Sequence, residues 1–145
     1  MSQKDQARQV KTSLLSLQKN LQNQVLKVDP LVETKIDEWE REEGGGGKTI
    51  AFANGQIIEK GGVNFSDVFG TNLPKTATQN RRAEEGASYR AMGVSVVFHP
   101  DNPHIPTSHA NVRYFEAKKE NQPIVWWFGG GFDLTPYYPI LEDVI

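Results

Sequence analysis

The chain contains no cysteine among its 145 residues. This absence excludes disulfide bonds, thiolate zinc sites, cysteine-bound iron–sulfur clusters and a cysteine nucleophile. Long apolar runs are also missing, and none reaches the roughly 20 residues that a helix needs to cross a bilayer. The net charge of −2 provides no basic footprint for nucleic acid. We therefore expect neither a membrane span nor a nucleic-acid partner. The N-terminal segment lacks the apolar core of a signal peptide, so we expect a cytoplasmic protein.

Two helices are predicted at the N-terminus. Apolar residues recur at helical spacing from Val10 to Val28, which is typical of an amphipathic helix packed on a domain. Asp29-Pro30 then combines a favoured N-cap residue with a first-turn proline. This pair predicts a second helix that runs to about Glu43 and ends at the glycines of 44–47. Its inward-facing residues would be Leu31, Val32, Ile36 and Trp39.

The remainder of the chain favours antiparallel strands. Asn54-Gly55 lies between two apolar runs and is a hairpin signal. The prolines of 100–107 predict a stiff, extended connection, and residues 71–86 are interpreted as a mobile surface loop. Long strands are predicted at about 88–99, 108–118 and 123–130. We therefore expect an α+β fold, with N-terminal helices followed by a large antiparallel β-sheet flanked by helices.

The C-terminal segment from Tyr137 to Ile145 has the pattern of a helix start, without a glycine cap or a polar tail. We therefore expect the natural protein to be longer than this chain. Residues 1–145 would be the N-terminal portion of a single domain.

Residues with useful chemistry concentrate between Met92 and Pro136, and all three histidines of the chain fall there. If residues 108–116 form a strand, His109, Asn111 and Arg113 share one face. In the preceding strand, Ser95 and His99 would lie on one face and the apolar side chains on the other. Neighbouring strands would thus present one polar face, which predicts the floor of a binding pocket.

Each polar residue on this face has two interpretations. Asp133 follows three glycines, which let a backbone approach a flat ligand closely, so its carboxylate could accept hydrogen bonds from ligand N–H groups; alternatively, Asp133 caps a helix. Arg113 suits a ligand carboxylate or an ion pair with Glu116 or another acidic residue. His109 could relay a proton, or it could be a structural histidine.

A metal site is a further possibility. His99, with either His104 or His109, could form a site with two histidines and one carboxylate together with Asp133. The spacing matches no standard short metal motif, and the prolines between the histidines hold the backbone extended.

Three segments of the chain closely resemble the oxygen-dependent coproporphyrinogen III oxidases of haem biosynthesis. They are GVSVVFHPDNPHIPTSHANVRYFE, WWFGGGFDLTPYY and, upstream, EKGGVNFSDVFG. The resemblance extends from about Glu40 to Tyr138, and its motifs are long and specific. It implies oxidative decarboxylation of coproporphyrinogen III to protoporphyrinogen IX, with molecular oxygen as oxidant and carbon dioxide and hydrogen peroxide as further products. It also implies a large sheet flanked by helices, usually in a homodimer, in proteins longer than this chain.

The resemblance assigns roles to particular residues. Ser95, Asn111 and Arg113 fall at substrate-binding positions, and His109 falls at the position of the proton donor. Asp133 falls where a carboxylate holds the pyrrole N–H groups.

The resemblance also bears on cofactors and assembly. His99 matches a histidine assigned to a divalent metal in some bacterial relatives, although the resemblance implies that many members need no metal. We therefore expect no required cofactor, with molecular oxygen as a co-substrate. Val63 to Leu73 matches a segment linked to dimer contacts, with an inserted residue near Thr71. Two alternatives remain: a metal-dependent non-haem oxygenase that uses His99, His109 and Asp133, and a tetrapyrrole-binding fragment without catalytic activity.

Overall fold

The computed structural model describes residues 3–71 and 86–143. One helix, α1 (Gln3–Val28), precedes all the strands, and a short 3₁₀ turn, Leu141–Asp143, follows them. The predicted loop at 71–86 lies almost entirely outside the described residues. The strands are β1 (Glu33–Glu40), β2 (Gly45–Ala53), β3 (Ile58–Gly70), β4 (Ser88–Pro100), β5 (Thr107–Lys118) and β6 (Val125–Thr135).

The six strands form one sheet in the order β1-β2-β3-β4-β5-β6, and each strand is antiparallel to the next. Each strand therefore pairs with its neighbours in the chain, which makes the sheet a simple meander. The α+β prediction, with a large antiparallel sheet after an N-terminal helix, is confirmed. Among the described residues, no helix has the length and apolar character that crossing a membrane requires.

Helix α1 packs on one face of the sheet, called here the helix-packed face. The apolar side chains of the helix and of β2 to β5 form the main core there, and burial of this surface stabilises the fold. Gln18 is 2% exposed in the middle of the contact and donates hydrogen bonds to the carbonyl oxygens of Lys48 (2.7 Å) and Val63 (3.0 Å). A buried amide needs such partners, and these two bonds attach the helix to β2 and β3. The core residues are Ala7, Leu14, Val25, Val32, Ile50, Phe52, Ile58, Val63, Phe65, Met92, Val94 and Tyr114.

A charged cluster lies at the same face. Asp67 is 5% exposed and accepts two hydrogen bonds from the Arg90 guanidinium, at 2.8 and 2.9 Å. Lys11 of the helix contacts its second oxygen at 2.8 Å. Burial raises the pKa of the Asp67 carboxyl, but the hydrogen bonds and charges of Arg90 and Lys11 outweigh burial and leave this pKa below its ordinary value.

The prediction of a second helix from Asp29 to Glu43 is wrong, because residues 33–40 form β1. The strand pairs at eight positions with the glycine-rich β2. The Trp39 ring lies against Gly47, where any Cβ would collide with the ring. Ile36, predicted to face inward, is 51% exposed. The apolar residues at helical spacing were misleading because pairing with a neighbouring strand decided the conformation.

Asp29 does not cap a following helix. It is 1% exposed and accepts hydrogen bonds from the backbone N–H groups of Gln56, Ile57 and Ile58 in the β2–β3 turn. Those of Ile58 and then Ile57 contribute most to lowering the pKa of the Asp29 carboxyl. A residue that is favourable at a helix start therefore stabilises a distant hairpin turn instead.

The connections agree with the predictions in part. Asn54 has a φ of 57° in the predicted β2–β3 hairpin, but the connection spans residues 54–57 instead of two. The 100–107 connection is not extended, because Ile105 donates a backbone hydrogen bond to Asn102 and closes a turn. In the described part of the C-terminal segment, the only helical turn is the 3₁₀ turn at 141–143.

Candidate active site

The second face of the sheet carries no helix among the described residues and is called here the polar face. The antiparallel register decides which side chains meet on it. Asn111 lies opposite Ser95 on β4 and Gly131 on β6, while Arg113 lies opposite Gly93 and Gly129. In the next cross-strand row His109 lies between Val97 and Asp133. The register thus brings together the predicted residues of three strands: Ser95, His109, Asn111, Arg113 and Asp133.

A hydrogen-bonded chain connects three of these side chains. Nδ1 of His109 lies 3.0 Å from Oδ2 of Asp133, and Nε2 of His109 lies 3.4 Å from Oγ of Ser95. A carboxylate at Nδ1 requires a proton on that nitrogen, which leaves Nε2 to accept from the serine hydroxyl or to donate after protonation. The arrangement therefore fixes which imidazole nitrogen faces the middle of the polar face.

The carboxylate of Asp133 keeps part of its hydrogen-bonding capacity. Its side chain is 60% exposed, and no described residue donates a hydrogen bond to Oδ1. The residue lies within β6, so it is not an N-cap. One oxygen orients His109, and the other is available to an N–H donor of a ligand.

Arg113 has no ion pair with any described residue. The predicted alternative, a pair with Glu116, does not form because an odd separation in a strand puts the two side chains on opposite faces. Glu116 instead accepts a 2.7 Å hydrogen bond from the hydroxyl of Tyr114 on the helix-packed face. Burial, assisted by this bond, raises the pKa of Tyr114. The Arg113 guanidinium is exposed on the polar face and is available to an anion.

Two adjoining cavities occupy this region. One, of about 230 Å³, is lined by Asn111, Arg113, Trp127 and the glycines of 129–131. The other, of about 470 Å³, is lined by His99, Thr107, His109, Asp133 and Thr135–Tyr137. Together they offer five kinds of polar group along one surface: a cation, a carboxylate, an imidazole, an amide and hydroxyls. Such a surface suits a planar ligand with acidic substituents.

A further cavity, of about 790 Å³, lies elsewhere, between α1 and the β1–β2 hairpin. Several of its charged side chains form ion pairs with one another: Lys48 lies 3.9 Å from Glu38, and Lys11 lies 2.8 Å from Asp67. It contains none of the predicted site residues. We therefore place the candidate site on the polar face, where Arg113 and one oxygen of Asp133 have no partner among the described residues.

The proposed metal ligands are not assembled. His99 contacts the hydroxyl of Thr107 through Nδ1 at 3.3 Å. His104 lies in the β4–β5 connection and packs on the ring of Tyr138. The part of the chain that the structure describes includes no group of three or more His, Asp or Glu side chains that could hold a metal ion. As they stand, His99, His109 and Asp133 do not fit one.

Sequence reasoning missed two features of the polar face. Thr107, which contacts His99, is the first residue of β5 and lies one residue before the predicted strand of 108–118. A prediction that began one residue earlier would have included it. Asn64 of β3 lies opposite Ser95 and accepts a 2.7 Å hydrogen bond from Thr49 of β2. The polar face therefore continues beyond β4, a result of register that the sequence pattern did not reveal.

The segment linked to dimer contacts, 63–73, falls largely within β3. That strand is internal, because it pairs with β2 on one side and β4 on the other. Residues 72 and 73 lie outside the described residues. Dimerisation through this segment stays a prediction.

The family model described as coproporphyrinogen III oxidase matches residues 9–145, which is nearly all of the chain. The match includes most of α1, all six strands and every residue of the candidate site. The chain therefore belongs to the coproporphyrinogen III oxidase family.

Proposed function

We propose that this chain forms the substrate-binding face of an oxygen-dependent coproporphyrinogen oxidase, which converts coproporphyrinogen III to protoporphyrinogen IX in porphyrin biosynthesis. The observation that carries the proposal is the Ser95–His109–Asp133 hydrogen-bonded chain beside the unpaired guanidinium of Arg113. The substrate has acidic propionates at its edge and pyrrole N–H groups at its centre. The polar face offers a complementary group for each.

Binding follows from charge and hydrogen bonding. The fork of Arg113 pairs with one propionate carboxylate, and the Asn111 side chain supplies a further polar contact next to it. Oδ1 of Asp133 accepts hydrogen bonds from pyrrole N–H groups, while Oδ2 holds Nδ1 of His109. These contacts fix the ring relative to the imidazole and orient one propionate for reaction.

Each decarboxylation is a two-electron oxidation. The bond between the carboxylate carbon and the adjacent methylene breaks, carbon dioxide leaves and a carbon–carbon double bond forms as a hydrogen and its electron pair leave the other methylene. These two electrons and two protons, one from the substrate and one from the medium, reduce oxygen to hydrogen peroxide.

A carboxylate near the pyrrole N–H stabilises positive charge on the ring and can accept a proton, which makes the ring more electron-rich toward oxygen. His109, held by Asp133 and adjacent to Ser95, delivers or accepts a proton through Nε2. We propose that no redox cofactor is required. The homodimer and the cytoplasmic location stay predictions.

The test is an assay of the purified chain with coproporphyrinogen III in air and under anaerobic conditions. Products are detected as porphyrin fluorescence after oxidation, together with hydrogen peroxide. We expect protoporphyrin and peroxide only with oxygen, with one peroxide for each propionate that is decarboxylated and therefore two for each protoporphyrin. Equal product formation without oxygen would contradict oxygen dependence.

Two further measurements separate the alternatives. Activity that disappears on chelation and returns with a divalent metal would favour the metal-dependent oxygenase. Binding of coproporphyrin III without turnover would identify the chain as a tetrapyrrole-binding fragment. Absence of both binding and turnover would contradict the proposed function.

A further inference from the structure

The three consecutive glycines of β6, Gly129, Gly130 and Gly131, have different surroundings on the two faces of the sheet. None of them has a positive φ, so backbone conformation does not require glycine at these positions. Gly130 faces the helix-packed side, and a Cβ built there would lie 2.5 Å from the carbonyl oxygen of Asn111. Packing therefore requires glycine at 130.

Gly129 and Gly131 face the polar side and have no such restriction. A Cβ at Gly129 would meet no described atom within 4 Å. A Cβ at Gly131 would meet only the amide nitrogen of Asn111, at 3.8 Å, which is ordinary van der Waals contact. Alanine would fit at both positions, and glycine in a strand is less stable than alanine. The internal packing of the described residues does not explain why these two positions are glycine.

Their location supplies an explanation. Both glycines line the cavity that contains Arg113 and Asn111, and Gly131 precedes Asp133 by two residues on the same face. Side chains at these positions would project into the space between the guanidinium and the carboxylate. A flat ligand that contacts both groups must lie against this part of β6.

We propose that Gly129 and Gly131 are specificity-determining positions, whose missing side chains let the face of a cyclic tetrapyrrole lie against β6 between Arg113 and Asp133. The inference rests on the proposed function, since it names how that substrate is accommodated. Small side chains here would hold the ring away from the Asp133 carboxylate without disturbing the fold. Substitution at 129 or 131 should therefore weaken ligand binding without lowering the stability of the fold, whereas substitution at 130 should lower stability.

The test compares Gly129→Ala, Gly129→Val and Gly131→Ala with the matched control Gly130→Ala. Thermal unfolding gives Tm, and fluorescence titration with coproporphyrin III, the stable oxidised form, gives Kd. We expect the variants at 129 and 131 to keep or raise Tm and to weaken binding, by about tenfold or more for the valine variant, because added carbons exclude a close-fitting ligand. We expect Gly130→Ala to lower Tm.

The outcomes distinguish this inference from the proposed function. If the unmodified chain does not bind coproporphyrin III, the proposed function fails before any variant is considered. If the unmodified chain binds and all variants at 129 and 131 bind equally well, only the glycine proposal is overturned. It is also overturned if Gly129→Ala lowers Tm as much as Gly130→Ala, because both glycines would then be structural.

Discussion

Asp67 and Asp133 are carboxylates on opposite faces of the same sheet, and their surroundings differ sharply. Asp67 is 5% exposed and contacts two cations, Arg90 and Lys11, at distances below 3 Å. Asp133 has a side chain that is 60% exposed, and its contact is a single imidazole. The first carboxylate is satisfied by its own protein, and its role is to attach α1 and β4 to β3. The second retains an unused oxygen, which is what a binding group needs.

The two faces differ in the same way as these two residues. On the helix-packed face, Lys11, Arg90 and Glu116 all contact other residues of the chain. On the polar face, Arg113 has no partner among the described residues. Because Arg113 also lines a cavity, its guanidinium is available to an anionic ligand there. The predictions below test whether stability and activity separate along this division.

The largest effect is expected for Asp133→Asn. The variant loses the charge that orients His109 and accepts pyrrole N–H groups, so activity should fall by about 10³-fold. Because the side chain is mostly exposed, the free energy of unfolding should change by less than about 0.5 kcal/mol. Steady-state kinetics and chemical denaturation check the two values.

Asp37→Asn is the matched control, because Asp37 is an exposed aspartate at the edge strand of the same face. It should leave both activity and stability unchanged. Equal activity of the Asp133 and Asp37 variants would remove Asp133 from the mechanism.

Asp67→Ala should show the opposite pattern. Removal of this carboxylate leaves Arg90 and Lys11 without their partner in a partly buried site. We expect a loss of about 3 kcal/mol in the free energy of unfolding, at the lower end for broken buried ion pairs because both cations are partly exposed. Activity per folded molecule should be nearly unchanged. A large loss of activity with normal stability would break the proposed division between the faces.

Arg113→Ala should raise KM for coproporphyrinogen III about 10- to 100-fold, which corresponds to one charge-assisted hydrogen-bonding contact. Arg113→Lys should recover only part of this loss, since an ammonium lacks the bidentate fork. Arg8→Ala, on the exposed side of α1, is the control and should have no effect. An unchanged KM in Arg113→Ala would show that the guanidinium binds no propionate.

The smallest effect concerns pH. The pKa values of Asp29 and Asp67 lie below the ordinary 3.8 in the folded state, so the unfolded chain binds more protons in acid. Their contribution to stability is complete above the unfolded pKa and is lost as pH falls through the folded values. Denaturation midpoints should therefore be level near neutrality and should fall below about pH 4. Asp67→Asn should flatten this decline, and identical slopes in both proteins would contradict the assignment.

Two predictions from short-range periodicity are confirmed. Alternation along residues 108–116 placed His109, Asn111 and Arg113 on one face, and the observed strand agrees with it. The helical spacing of Val10 to Val28 likewise predicted α1. Both patterns record which side of an element is buried, and that information lies in neighbouring residues.

The failures share a different origin. Residues 33–40 have apolar positions compatible with a helix, and they form a strand because β2 offers an edge along which Trp39 can cover Gly47. Asp29 matches an N-cap pattern but accepts the N–H groups of a turn about 28 residues away. In each case a partner distant in the chain changed the meaning of a local signal.

Where the sequence pattern predicted a strand, the sequence by itself also determined which side chains share a face, because the two-residue period of a strand is a local property of the backbone. Only the tertiary structure decided which of those side chains meet across strands. Register aligns Ser95, His109 and Asp133 in a hydrogen-bonded chain, and it places two glycines of β6 opposite Asn111 and Arg113. Register depends on the pairing of whole strands and on their packing against α1, and these long-range contacts are not encoded in any short segment.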